Sequence, residues 1–93
     1  MSIVVRFIPT SLTAEQYDKT TRMLEEAGVD FPPEGLDYHV CFGPDGNLRV
    51  SEIWDSREQF DAFAERLMPV LMDAGIEFSG EPEISEVHNI EKR

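Results

Sequence analysis

Cysteine, histidine and basic side chains are scarce in this sequence: one cysteine, two histidines, and eight lysines and arginines against nineteen acidic residues. Each scarcity excludes something. A lone Cys41 cannot build an intramolecular disulfide framework, and the expectation is a reduced, cytoplasmic protein. A net charge of −11 repels phosphate backbones and anionic bilayers, which sets nucleic-acid and membrane binding aside. No apolar run approaches the roughly 20 residues that span a bilayer, and no charged-then-apolar leader is read at the start. Glycine is thinly spread, with no phosphate-cradling loop and no nucleophile elbow. His88 and Glu86 share one side of a strand, but no third histidine or cysteine stands near them, so no metal site is read there. The 93 residues are enough for one small core, and residues 1–93 are read as a single domain.

What is present is a regular alternation of strand and helix signals. Ile3 to Ile8 is apolar apart from Arg6 and reads as a strand, which Pro9 helps to end because it has no N–H to donate. Thr13 is a good N-cap, Gln16 completes a capping box, and Leu12 with Tyr17 is placed as a hydrophobic staple. Tyr17, Thr20, Thr21, Leu24 and Ala27 then recur at helical spacing, and Gly28 is the expected stop. Val29 to Gly35, stiffened by Pro32 and Pro33, is a connection; Asp30 and Phe31 either fold over one end of the sheet or remain a plain surface loop.

The central stretch is Leu36 to Phe63. Tyr38 to Phe42 and Leu48 to Trp54 are rich in β-branched and aromatic residues. Gly43-Pro44-Asp45-Gly46-Asn47 between them predicts a hairpin with a three-residue loop and a glycine bulge. Ser56 caps a second helix, again with a glutamine, Gln59, at the capping-box position. Its apolar stripe runs through Phe60, Phe63, Ala64, Leu67, Leu71 and Ala74. Pro69 within it predicts a kink or break near Met68. Gly75 ends this helix, and Glu81 to Ile90 holds the last strand. The order β-α-β-β-α-β, with two helices on one face of a four-stranded antiparallel sheet, is an α+β, ferredoxin-like arrangement.

The run Glu52-Ile53-Trp54-Asp55-Ser56-Arg57-Glu58-Gln59-Phe60-Asp61-Ala62-Phe63 resembles the strand-to-helix junction of the dimeric α/β-barrel proteins, which include the antibiotic-biosynthesis-monooxygenase-like group. The resemblance implies a homodimer with two sheets face to face, helices outside, and a ligand cleft between helices and sheet. The group holds cofactor-free monooxygenases, haem-degrading enzymes, isomerases and members without known activity, and no cofactor is expected for this chain. The haem-degrading branch carries an asparagine on the first strand and a tryptophan and a histidine on the second helix. Here the first position falls at or beside Val5, the second at Phe63, and no histidine occurs between Val40 and Glu86. Haem degradation is therefore disfavoured.

Candidate site residues follow from the expected register. A three-residue loop sets Tyr38 opposite Glu52 and His39 opposite Ser51. Alternation then places Tyr38, Val40, Phe42, Val50, Glu52 and Trp54 on the helix side. The mixed face, with Arg6, His39, Cys41, Arg49 and Ile53, would line the dimer barrel. Glu52 among aromatics is a candidate general acid or base favoured toward its neutral form by desolvation, or else a structural carboxylate bonded to Tyr38. His39 is the second acid–base candidate, or a structural histidine bonded to Ser51 or across an interface. Tyr38, Trp54 and Phe63 would enclose the substrate beside Glu52, and Arg6 could hold an anionic group or pair with the partner subunit. Cys41 reads as a small core residue. The functional expectation is a small dimeric protein that binds or transforms a small, largely apolar molecule; the alternative is a non-catalytic dimerisation or accessory module.

Overall fold

The computed structural model describes residues 1–93. The elements are β1 (Ile3–Phe7), β2 (Pro9–Thr10), α1 (Ala14–Glu26), β3 (Leu36–Phe42), β4 (Arg49–Trp54), α2 (Arg57–Asp73), β5 (Glu77–Phe78) and β6 (Glu83–Glu86). The main sheet has the order β3-β4-β1-β6 and every pairing is antiparallel. Two split β-α-β crossovers generate this order, one through α1 and one through α2, and both helices cover the same face. This is the ferredoxin-like α+β fold expected from the order of elements.

Local signals account for most boundaries. Thr13 accepts from the Gln16 backbone N–H at 3.0 Å while the Gln16 side chain accepts from Thr13 N–H at 3.0 Å, a reciprocal capping box. At α2 the Ser56 hydroxyl caps Gln59 N–H at 3.2 Å, but Gln59 returns to the Ser56 hydroxyl rather than to its backbone, so the expected box is only half made. Both helices close alike. Gly28 and Gly75 take φ +75°. The next residues, Val29 and Ile76, donate back to Leu24 and Leu71 and tuck against the core. That is a Schellman ending with its hydrophobic contact.

Three expectations need correction. The helix does not break at Pro69: α2 runs on to Asp73. Pro69 and Glu65 both lie on the exposed face, so the carbonyl that loses its partner faces solvent and the loss is tolerated. The last strand is shorter than Glu81 to Ile90, extending over Glu83–Glu86 only. A second, two-stranded ladder was not foreseen: past Ile8 the chain leaves the main sheet, and Pro9 and Thr10 pair with Phe78 and Glu77.

The register of the hairpin is the correction that matters for the site. Phe42 pairs with Arg49, Cys41 with Val50, Val40 with Ser51, His39 with Glu52 and Tyr38 with Ile53. Every pair is offset by one from the expectation. Two irregularities cause this. The turn closes Pro44 to Asn47 with a 2.9 Å bond, but Leu48 N–H is diverted from the ladder to the Leu12 carbonyl at 3.0 Å. At the other end Leu36 still faces Trp54, and the register shifts between Leu36 and Tyr38. Asp37 is the extra residue of a β-bulge, and one extra residue inverts the facing of everything after it. His39 and Cys41 therefore turn to the helices. Tyr38, Val40 and Phe42 turn to the uncovered face.

The core is one cluster of Ile3, Val5, Phe7, Leu24, Trp54, Phe60, Phe63, Leu67, Val70 and Leu71. Trp54 is fully buried, with Phe60 and Phe63 rings at 5.6 and 5.7 Å, within the range where aromatic pairs attract beyond their area. Gly35, just before the bulge, has φ +93°, and a Cβ there would meet the Gln59 side chain at 2.5 Å. Gly28 has a similar φ but open space around it. Gly28→Ala should cost the left-handed penalty of about 1–2 kcal/mol. Gly35→Ala should cost clearly more, because Gln59 must leave its bond to Ser56. Urea midpoints of the two variants test this; equal losses would show that the Gln59 contact gives way freely.

Candidate functional site

Glu52 is 3 % exposed, one of only two buried polar or charged residues. Alternation on β4 places it between Val50 and Trp54 on the helix side. Its two oxygens have separate partners. The Trp54 indole N–H donates to Oε1 at 3.0 Å, and Oε2 lies 2.6 Å from His39 Nδ1 across the β3–β4 pair. The other ring nitrogen, His39 Nε2, is 2.7 Å from the Tyr17 hydroxyl on the first turn of α1. No buried side-chain nitrogen or oxygen is left without a partner.

The chemistry of the donors orders this chain. An indole N–H only donates, so Oε1 is an acceptor. A single proton lies in the short contact between Oε2 and Nδ1, which makes it a charge-assisted bond. In the neutral imidazole with its proton on Nδ1, Nε2 is an acceptor and the Tyr17 O–H donates to it. Carboxylate, imidazole and hydroxyl stand in the order of a hydrolytic triad, with a phenol in place of the alcohol. The phenol is held protonated. Burial first, then the electrostatic influence of Cys41, Glu52 and Asp18, raises the Tyr17 pKa above the ordinary tyrosine value. Burial likewise pushes the Cys41 thiol up, so Cys41 is not a standing thiolate. The arrangement suits proton transfer rather than nucleophilic attack.

Tyr17, His39 and Glu52 line a cavity of about 90 Å³ between helices and sheet. At about 10–15 Å³ per water on this measure, it has room for a handful of water-sized groups. The rest of its wall is mostly apolar: Phe7 and Val50 from the sheet, Leu12 from the loop before α1, Leu24 from α1, Phe63, Leu67 and Leu71 from α2, Ile76 from the turn after it and Phe78 from β5. Phe31 closes one end. Its ring meets His39 edge-on at 5.1 Å and Phe63 at 6.1 Å, so the 29–35 connection does fold over the sheet. No cluster of three or more His, Cys, Asp or Glu side chains is grouped to hold a metal ion.

Of the expected site residues, Glu52, Trp54 and Phe63 meet on the helix side, Trp54 supporting Glu52 from outside the cavity wall. His39 and Tyr38 are exchanged. His39, expected on the open face beside Ser51, is Glu52's partner. Tyr38, expected beside Glu52, is 56 % exposed on the other face. The Asp37 bulge is the reason. Arg6 is exposed on that same open face, between Ser51 and Glu83 in the ladder, and does not reach the cavity. Tyr17 was overlooked as a site residue: its position in the α1 stripe was a core signal, and only the true register brings a histidine opposite it.

No protein-family model matches the sequence, and no curated protein matches it. Solved structures do. SnoaB, a cofactor-independent oxygenase from Streptomyces nogalater, superimposes with a TM-score of 0.59 at 17 % identity over 96 % of this chain and 93 % of its own. An antibiotic-biosynthesis-monooxygenase-like protein from Chloroflexus aurantiacus gives 0.59 at 15 % identity, over 98 % and 95 % of the two chains. A protein of unknown function from Nitrosomonas europaea gives 0.58 at 16 % identity, over 99 % and 92 %. The chain has the fold of the antibiotic-biosynthesis-monooxygenase-like proteins. At these identities the likeness is one of fold.

The raised Tyr17 pKa has a thermodynamic consequence with a definite sign. The folded state holds this proton more tightly than the unfolded chain. The resulting stabilisation is complete below the unfolded value of about 10 and is lost as pH rises through the folded value. Urea unfolding from neutral pH to above pH ~10 should show a falling limb in the parent protein that is smaller in Tyr17→Phe. An identical limb in both would mean that Tyr17 ionises at its ordinary value.

Proposed function

We propose that the protein binds and transforms a small, largely apolar molecule in the helix–sheet cavity, in the manner of a cofactor-independent monooxygenase or a proton-transfer isomerase. Glu52 and His39 are its acid–base pair. The observation that carries this reading is the bond from buried Glu52 to His39 at the wall of an apolar cavity. A carboxylate on Nδ1 orients the ring, sets Nε2 as the acceptor and stabilises the imidazolium that forms on proton uptake. The apolar walls exclude water, and a carbanion or phenolate formed there can react with dioxygen or be reprotonated elsewhere. Phe63 supplies apolar surface. Trp54 holds Glu52.

Assembly as a homodimer is part of the proposal. The uncovered face of the sheet carries Val4, Val40 and Ile53, with Phe42 39 % and Tyr38 56 % exposed, and Arg6 and Arg49 among them. The bulge enriches this face by moving Tyr38 onto it and His39 away from it. An apolar sheet face of this kind calls for a cover, and a second copy of the same sheet supplies one. Arg6 and Arg49 then serve as pairing groups for the acidic partner surface rather than as substrate ligands. Light scattering at micromolar concentration should give twice the chain mass; a monomer mass insensitive to dilution would remove this part.

Glu52→Gln tests the acid–base pair. An amide N–H on the Oε2 side would donate to Nδ1, which forces the proton onto Nε2 and reverses the polarity of the chain. Oxygen uptake or isomerisation with small single-ring phenols and enols, without added cofactor, should fall by about 10²-fold or more, while Glu25→Gln on the wet face of α1 leaves it unchanged. Equal rates in the two variants would reduce Glu52 to a structural residue and leave the accessory-module reading.

A further inference from the structure

Hydrogen-bond accounting inside the cavity restricts what can bind. Both Glu52 oxygens are engaged, by Trp54 and His39. Both His39 nitrogens are engaged, by Glu52 and Tyr17. The Thr20 hydroxyl donates to the Gln16 carbonyl at 2.9 Å, and the Thr21 hydroxyl to the Tyr17 carbonyl at 3.3 Å. With His39 as the Nδ1–H tautomer, the Tyr17 hydrogen points to His39 Nε2. No side-chain donor of the lining is left free, and the Tyr17 oxygen keeps an acceptor lone pair beside the base. A ligand whose polar group only accepts finds no donor in these side chains, and an anion also meets Glu52. A ligand that brings its own hydrogen is satisfied.

Access to the base is restricted in the same way. Tyr17 covers Nε2 at 2.7 Å, and the Phe31 ring stands perpendicular to the imidazole at 5.1 Å. A substrate proton that is to reach His39 passes through the Tyr17 oxygen.

We propose that Tyr17 is the catalytic residue that meets the O–H of the substrate, and that His39 and Glu52 act through it as the proton sink. This rests on the acid–base reading of Glu52 and His39 given above. In the step, the substrate O–H bond breaks and its proton goes to the Tyr17 oxygen. The Tyr17 proton moves to His39 Nε2. The products are substrate oxyanion, neutral tyrosine and an imidazolium paired with Glu52. The total charge in the cavity does not change, so no net ion is created in apolar surroundings. The raised Tyr17 pKa agrees with a relay in which tyrosinate never accumulates.

The experiment uses 4-nitrophenol, whose phenolate is yellow and whose phenol is not, at a pH well below the probe's own pKa. The parent protein should bind it saturably and develop the phenolate band. Tyr17→Phe should bind at least about tenfold more weakly and leave the probe un-ionised. His39→Gln should leave it un-ionised as well. On the parent protein, 4-nitroanisole, which has the same shape but no O–H, should fail to bind; this arm is independent of how the variants fold. Ionisation that persists in Tyr17→Phe overturns the relay and leaves Glu52 and His39 as a direct acid–base pair. Binding without ionisation in the parent protein overturns the acid–base reading itself. Equal binding of 4-nitroanisole, or no saturable binding of 4-nitrophenol, overturns the meeting of Tyr17 with a substrate O–H.

Discussion

A carboxylate buried to 3 % exposure is the constraint on which the site depends. Removing an ionisable group from water is costly unless other polar groups replace the water. Here an indole N–H and an imidazole do so, one on each oxygen. Trp54 and His39 are consequently fixed with respect to each other, and with them the orientation of the ring and the nitrogen that faces Tyr17. The same tryptophan is the fully buried centre of the aromatic cluster with Phe60 and Phe63. Core packing and site geometry therefore share a side chain, and a change in the core around Trp54 reaches the Glu52–His39 pair through one bond.

The β-bulge at Asp37 is the second structural requirement. Without it, the pairing of Leu36 with Trp54 would continue in register and place Tyr38 opposite Glu52. With it, the strand shifts by one residue and His39 takes that place. Lys92 Nζ meets the Asp37 carboxylate at 2.8 Å, an exposed pair of the kind that adds little stability. The shift has consequences on both faces. It supplies the cavity with an imidazole, and it gives the uncovered face a tyrosine and a phenylalanine. One inserted residue thus decides which face of the sheet carries the histidine and which the tyrosine.

These two features explain what could be read from the chain and what could not. Helix ends were legible because they are local: Thr13 with Gln16, Ser56, and the Gly28-Val29 and Gly75-Ile76 pairs act within a turn. Strand order followed from the sequence of elements. That Glu52 faces the helices followed from the parity of β4 alone, and β4 contains no irregularity. The partner strand was different. Its register depends on whether Leu48 bonds across the hairpin or to Leu12, and on whether Asp37 is accommodated as a bulge. Neither decision is local. The first is made by the start of α1, the second by the far end of the sheet. The Pro-Asp-Gly turn was recognised, but its composition does not set the register beyond it.

The hairpin loop also bears on the distance between Tyr17 and His39. Leu48 N–H bonds to the Leu12 carbonyl, and the Asp45 carboxylate accepts from Ala14 N–H at 2.9 Å. The latter is an N-terminal cap supplied by another element, where a carboxylate is favoured by the helix dipole. Together these bonds fasten the first turn of α1 to the β3–β4 loop. Tyr17 lies on that turn and His39 on the adjoining strand, so the 2.7 Å contact between them is set by two anchors at the mouth of the hairpin rather than by the tyrosine's own packing. Leu48, which leaves the hairpin ladder for Leu12, is thus one of the residues that bring a phenol to the histidine.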